Sequence, residues 1–198
     1  MTLNARRITI LLGTLTCLVA PSSVMAAQVE GDSGFLSGFV HPLLGFDHLL
    51  AMLAVGLLSV QIGGRAVWSV PLAFLVFLAA GGGLGLAGIS LPEVEGAIAL
   101  SVFGLGLAIA INASLTVTFA MLMVGFFAVF HGHAHGAEIP GLAEPVLYVA
   151  GFLLASAVLH LAGVGLGVLQ KHEVARAKVG AGLCGIGLYM VLLTYSVV

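Results

Sequence analysis

Charged residues are scarce in this chain. Only 7% of its 198 residues are Asp, Glu, Lys or Arg, whereas a soluble domain usually carries about 25%. Hydrophobic residues make up 61% of the chain, and the mean hydropathy is +1.23. This composition predicts that a lipid bilayer, not water, surrounds the protein. The formal net charge of −2 leaves no basic patch for nucleic acid, so nucleic acid is not an expected partner.

Cysteine is also scarce, with only Cys17 and Cys184 in the whole chain. Arg6 and Arg7, the apolar run 8–20 and the small residues before position 27 predict a cleavable signal peptide over residues 1–26. The alternative is an uncleaved first membrane helix, but the apolar run is shorter than the roughly 20 residues that cross a bilayer. Removal of Cys17 would leave a mature chain with no internal disulfide and no cysteine-based metal site.

Six apolar stretches follow the predicted signal peptide. Each can supply the roughly 20 residues that a helix needs to cross the hydrocarbon core. Their approximate positions are 38–61, 66–88, 94–112, 115–135, 144–170 and 177–197. The sequence therefore predicts an all-α, polytopic membrane protein: a signal peptide, followed over residues 27–198 by a bundle of six transmembrane helices. Whether the bundle forms a homo-oligomer is left open.

The basic residues predict the orientation of these spans. With the mature N-terminus outside, every remaining Lys and Arg falls in a cytoplasmic loop, namely Arg65, Lys171, Arg176 and Lys178. This arrangement satisfies the positive-inside rule, and the inverted arrangement violates it at every position. We therefore expect a multi-pass protein of the bacterial inner membrane with both mature termini in the periplasm.

The first polar motif, HPLLGFDHLLAM over residues 41–52, lies inside an apolar stretch. On one continuous helix His41 and His48 are seven residues apart, so they would share a face about 10 Å apart, with Asp47 beside it. Pro42 would suit the first turn of that helix. Inserting a charged side chain in a membrane span costs about 2.5–3.5 kcal/mol, which favours a functional role such as metal binding.

The second polar motif is FHGHAHGAE over residues 130–138. The spacing of His131, His135 and Glu138 places them on one helical face, and two histidines four residues apart can hold one metal ion. His133 points away from that face and is expected to face outward, towards the lumen or an interface. The predicted topology brings both motifs to a similar depth on the outer side of the membrane.

Glycines accompany the second motif and recur elsewhere. Gly132 and Gly136 are expected to loosen the helix, so that local unwinding at the metal-binding residues is plausible. Other glycines four residues apart are expected to let helices approach closely. These are Gly81 with Gly85, and Gly163 with Gly167.

Two further histidines lie outside the motifs. His160, well inside the fifth apolar stretch, is a candidate for a deeper metal-binding position, with a purely structural role as an equal alternative. His172 lies among charged residues and is expected to be solvated. Imidazole and carboxylate groups suit Ni, Co, Zn or Cu ions, and the residues alone do not choose among them.

The two motifs resemble those of the HupE/UreJ family, the hydrogenase and urease accessory membrane proteins that act as nickel or cobalt permeases. Its first signature, a His followed after five residues by Asp-His, matches His41, Asp47 and His48. Its second signature matches from Phe130 to Glu138. The resemblance implies uptake of Ni²⁺, or of Co²⁺ in some members, and no enzymatic activity.

The favoured interpretation is therefore transport of Ni²⁺ or Co²⁺ into the cytoplasm, with the metal ion as substrate and no prosthetic group. The residues expected to contact the ion are His41, Asp47, His48, His131, His135, Glu138 and, at the deeper position, His160. One alternative is an intramembrane zinc-dependent hydrolase, although no HExxH motif is present. Another is a haem b protein with two axial histidines from facing helices.

Overall fold

The computed structural model describes residues 34–139, 144–170 and 172–195, and all regular secondary structure in these ranges is helical. The predicted signal peptide over 1–26 lies outside the described residues, as do Lys171 and Val198. The seven helices are α1 (Gly34–Leu44), α2 (Phe46–Ile62), α3 (Ala66–Leu86), α4 (Val94–Ala110), α5 (Val117–Glu138), α6 (Pro145–Leu169) and α7 (Glu173–Tyr195). The all-α prediction is confirmed for these residues.

The helices differ in their ability to cross a membrane. Helices α3, α5, α6 and α7 are long and apolar enough to do so, and α1 and α2 together would form a fifth span if the bent pair counts as one. Helix α4 is apolar but has only 17 residues. The described residues therefore contain several helices that could span a membrane, whereas the count of six stays a prediction.

The sequence predicted one continuous helix for the first apolar stretch, and this prediction is wrong. The stretch forms two helices that meet at Gly45 at an angle of 78°. Gly45 has an extended backbone with ψ of 104°, which ends α1 and starts α2. Pro42 consequently lies in the last turn of α1 and not in a first turn. The break leaves Asp47 in the first turn of α2, where the positive end of the helix dipole favours a carboxylate.

Helix α2 lies at the centre of the molecule. It contacts α3, α4 and α6 along its length, and its middle turns are fully buried, including Met52 and Val55. Around it, α3 packs against α5, α4 against α7, and α1 against α6. Helix α2 also contacts α5 in its first turn, directly after the break at Gly45, through His48.

Glycines allow the closest helix contacts. A methyl group on Gly81 would meet the Val129 carbonyl, and one on Gly163 would meet the Leu53 carbonyl, so the predicted packing role is confirmed at both. Gly132 and Gly136 were expected to unwind their helix, but α5 is continuous through both. They instead touch the backbone of α3, because hydrogen in place of a side chain lets the two helices approach.

The end of α3 is closed by a glycine turn. Gly88 has a φ of +71°, a left-handed conformation that glycine adopts without steric cost. The N–H of Gly88 donates to Gly85 and that of Ile89 donates to Leu84, at 2.9 and 3.1 Å. This pattern is a Schellman motif, and it fixes the carbonyl of Ile89 beside the second half of α5.

Candidate functional site

The two polar motifs meet where the break between α1 and α2 faces the C-terminal half of α5. The ring centroids of His48 and His135 lie 4.1 Å apart. The ring centroids of His48 and His131 lie 4.4 Å apart, as do those of His41 and His135. The structure thus brings together residues that are about 90 positions apart in sequence. We call His41, Asp47, His48, His131, His135 and Glu138 the histidine cluster.

The break changes how the first motif contributes to the cluster. The prediction that His41 and His48 share a face of one helix is wrong, because His41 lies in the last turn of α1 and His48 in the first turn of α2. The 78° bend instead lets both rings contact His135. The end of α1 and the start of α2 therefore place His41 and His48 beside the same residue, whereas one straight helix would have kept them two turns apart.

Asp47 determines which nitrogen of His48 carries hydrogen. Its Oδ1 accepts from the backbone N–H of His48 at 2.8 Å and from the ring Nδ1 at 2.9 Å. A neutral imidazole has a single N–H, so Nε2 of His48 holds a lone pair. That atom lies 2.6 Å from Nε2 of His135, which must then donate. The lone pair of His135 is therefore on Nδ1.

A candidate ion-binding group forms at the end of this hydrogen-bond chain. Nδ1 of His135 lies 3.6 Å and Nε2 of His41 lies 3.8 Å from Oε2 of Glu138. The donor atoms of the three residues lie within 4.8 Å of one another. An ion with ligands at about 2.1 Å holds its donors roughly 3 to 4 Å apart. Nδ1 of His135 has no hydrogen-bond partner, so this lone pair is available to a cation.

Exposure decreases through the cluster. The side chain of Glu138 is 57% exposed and that of His41 is 13% exposed. His48 and His135 are buried, and His131 is 0% exposed. The cluster therefore extends from an accessible carboxylate to an imidazole fully enclosed by protein.

His160 lies beyond the cluster and is 1% exposed. Neither of its ring nitrogens has a hydrogen-bond partner in residues 34–139, 144–170 and 172–195. The ring of Phe74 lies near both His160 and the cluster, with its centroid 5.0 Å from that of His160 and 5.7 Å from that of His131. A buried imidazole with two unpartnered nitrogens is uncommon for a purely structural histidine, because buried polar groups are normally hydrogen-bonded.

His133 does not join the cluster. It is buried and does not face outward, so of the roles expected for it the interfacial one agrees with the structure. Its Nε2 donates to the carbonyl of Ile89 at 2.6 Å, so the ring holds α5 to the end of α3. His172 is exposed, as predicted for a residue among charged neighbours.

Four residues near the cluster were not identified from the sequence. The ring centroids of Phe152 and His135 lie 4.5 Å apart, and the ring of Phe74 contacts that of His131. Ser101 is hydrogen-bonded to His131. Glu95, in the first turn of α4, interacts electrostatically with Asp47, His48 and Glu138. An acidic residue next to a span was the only signal among these four.

Comparison with known proteins agrees with the two motifs. The model of the HupE / UreJ protein family matches residues 15–191. One relative is Protein HupE of Rhizobium leguminosarum bv. viciae, which is 46% identical over 171 residues, covering 85% of this chain and 90% of that protein. No solved structure matches the chain. On the family match over most of its length and on this identity, the chain belongs to the HupE/UreJ family.

Proposed function

We propose that the protein is a permease that carries Ni²⁺, or alternatively Co²⁺, across the bacterial inner membrane into the cytoplasm. The observation that carries this proposal is the histidine cluster itself, in which nitrogen and oxygen donors follow one another from an exposed carboxylate to a fully buried imidazole. Membership of the HupE/UreJ family supports the same function, because the resemblance of both motifs implies nickel or cobalt uptake.

The donor chemistry suits an ion that must be bound and then released. Imidazole nitrogens have affinity for Ni²⁺, Co²⁺ and Zn²⁺, and the carboxylates of Asp47 and Glu138 offset the charge of an ion away from water. In this proposal the ion first binds His41, His135 and Glu138. It then passes to His48 and His131, and His160 is the innermost position. Several moderate binding positions in series permit exit as well as entry.

The proposed membrane placement follows from the same path. We place the exposed side of Glu138 at the periplasmic surface, with both mature termini periplasmic and the signal peptide over 1–26 removed. The bent pair α1 and α2 counts as one span in this arrangement, and α4 as a short one. Broken helices whose ends face the ion are common in transporters, and Asp47 at the start of α2 fits that pattern.

Transport can be tested with purified protein in liposomes. We expect accumulation of Ni²⁺ inside the vesicles that depends on the protein and saturates with ion concentration. Co²⁺ and Zn²⁺ measured in parallel would establish the preference, and a pH gradient across the vesicle would test coupling to protons. Absence of uptake of all three ions by folded, correctly inserted protein would contradict the proposal.

A zinc-dependent hydrolase remains the second candidate, on one specific observation. The group formed by His41, His135 and Glu138 has the two-histidine, one-glutamate composition found in some catalytic zinc sites. The two functions can be distinguished in the same vesicles by measuring both substrate turnover and movement of the ion. A hydrolase would turn over lipid or amide substrates in the presence of Zn²⁺ without moving the ion, whereas a permease would move the ion without turnover.

A further inference from the structure

Ser101 of α4 makes two short hydrogen bonds in a fully buried position. Its Oγ lies 2.6 Å from the carbonyl oxygen of Ile98, one turn earlier in the same helix, and 2.8 Å from Nε2 of His131. Both Ser101 and His131 are 0% exposed. Bulk solvent does not reach either side chain, and the direction of each hydrogen bond follows from the chemistry of the groups that form it.

The serine can donate only one of these bonds. A hydroxyl has a single hydrogen, and a carbonyl oxygen can only accept. If the hydrogen pointed to His131, the oxygens of Ser101 and Ile98 would face each other at 2.6 Å with no hydrogen between them. That distance is typical of an O–H···O bond. Ser101 therefore donates to Ile98 and accepts from the ring N–H of His131.

This direction fixes the tautomer of His131. Because Nε2 carries the hydrogen, Nδ1 of the neutral ring holds the lone pair. Nδ1 is buried and has no hydrogen-bond partner among the described residues, and the ring lies edge-on to that of His48, with 4.4 Å between the centroids. A buried lone pair without a donor is unfavourable unless something binds it, and a cation passing along the cluster would do so.

We propose that Ser101 is a positioning residue that holds His131 in the Nε2–H tautomer, so that Nδ1 is the nitrogen offered to the metal ion. The inference rests on the proposed transport function. It assigns to Ser101 the part that Asp47 plays for His48, which is to fix the hydrogen on one ring nitrogen so that the other nitrogen holds the lone pair. Groups that orient a metal-binding histidine in this way commonly change metal affinity by about 10- to 100-fold when removed.

The chain offers a matched control in Ser59 of α2. Ser59 is also 0% exposed, and its Oγ donates to the carbonyl of Gly56, again one turn earlier, at 2.7 Å. Within the part of the chain that the structure describes, no histidine nitrogen is hydrogen-bonded to its Oγ. Ser59→Ala therefore removes an equivalent buried hydroxyl and reports any general effect on helix stability. Ser101→Thr retains the hydroxyl and reports whether the hydrogen bond alone suffices.

The tautomer can be measured without any metal. The full-length protein, labelled with ¹⁵N-histidine and placed in lipid bilayers, is studied by solid-state NMR at an alkaline pH where the rings are neutral. The His131 resonances are assigned by their loss in His131→Gln. We expect a protonated Nε2 and an unprotonated Nδ1 in the wild type, in Ser59→Ala and in Ser101→Thr, and a mixed or reversed pattern in Ser101→Ala. A protonated Nδ1 in the wild type, or an unchanged pattern in Ser101→Ala, would overturn the inference.

Ni²⁺ binding to the same preparations tests the consequence. Titration calorimetry should give a Kd for Ser101→Ala about 10- to 100-fold above the wild type, with Ser101→Thr and Ser59→Ala close to the wild type. If Ser101→Ala shifts the tautomer but binds Ni²⁺ normally, the assignment of Nδ1 as a ligand is wrong. If the wild type itself binds and transports no Ni²⁺, the proposed function fails, whereas the NMR result still decides the tautomer.

Discussion

The Nε2 atoms of His48 and His135 lie 2.6 Å apart, although the residues are 87 positions apart in the chain. This contact joins the two sequence motifs directly. Only one of the two nitrogens can carry the hydrogen between them. On the proposed path, an ion would have to break this hydrogen bond in order to pass, so we expect the two residues to act as one unit. Residues that act as one unit give non-additive effects when they are substituted together.

The first prediction follows from this pairing. His48→Ala and His135→Ala should each reduce the initial rate of Ni²⁺ uptake by at least about 10-fold, and the double variant should be little worse than either. Asp47→Asn and His131→Ala should also abolish most uptake. Uptake is measured at equal amounts of folded protein in the membrane, with the exposed His172→Ala as the control. Normal uptake in Asp47→Asn, His48→Ala and His131→Ala together would end the case for this path.

The second prediction concerns the break at Gly45. Alanine favours a helix over glycine by about 1 kcal/mol, and its Cβ would lie 3.3 Å from Oδ1 of Asp47 and 3.5 Å from Nδ1 of His48. Gly45→Ala should therefore lower uptake by disturbing the hydrogen bond between these two side chains. Gly104→Ala is the control, because a methyl group there would meet nothing within 4 Å. Equal uptake by both variants would show that the break tolerates a side chain.

The third prediction concerns stability. A methyl group on Gly132 would run into the carbonyl of Leu78 on α3, and overpacking of this kind typically costs about 1–3 kcal/mol. Gly132→Ala should lower the Tm of the detergent-purified protein, whereas Gly182→Ala, which has open space around it, should not. Equal Tm values for the two variants would mean that α3 and α5 can separate without cost.

The sequence predicted which residues lie together better than how they are arranged. The histidines and carboxylates stand out because ionisable groups are costly in a membrane, and their spacing on α5 follows from helical periodicity. The break at Gly45 was missed, because one glycine in an apolar run does not distinguish a helix from two helix ends. Ser101 and Phe74 were missed as well, since their partners lie far away in the chain. Ser101 and Phe74 reach His131 only because α4 and α3 pack against α5, which the sequence alone did not predict.

The fourth prediction concerns orientation. A reporter fused after Val198 should be active in the periplasm, and one inserted at Glu173 should be active in the cytoplasm, because the basic residues near the start of α7 are expected inside. At each position we would compare two reporter enzymes, one active only in the periplasm and one active only in the cytoplasm, and measure their activities. A cytoplasmic signal from the Val198 fusion would overturn the proposed topology and the periplasmic placement of Glu138 with it.

The last prediction concerns pH. Histidine binds a metal ion only through an unprotonated nitrogen, and its ordinary pKa is about 6.5. Protons should therefore compete with Ni²⁺ at the outer part of the path, where His41 and His135 face Glu138. As external pH falls from about 7.5 to about 5.5, the half-saturating Ni²⁺ concentration should rise.

Acidification would also change the rate of a proton-driven transporter, so competition by protons must be distinguished from proton coupling. A proton gradient can increase the maximal rate on acidification, whereas competition raises the half-saturating concentration, so initial rates are fitted for both parameters with the membrane potential clamped. His172→Ala should show the same pH dependence as the wild type, because its exposed ring lies outside the cluster. A half-saturating concentration that stays constant over this range would contradict capture of the ion by histidine, and would leave the carboxylate of Glu138 as the group that binds it first.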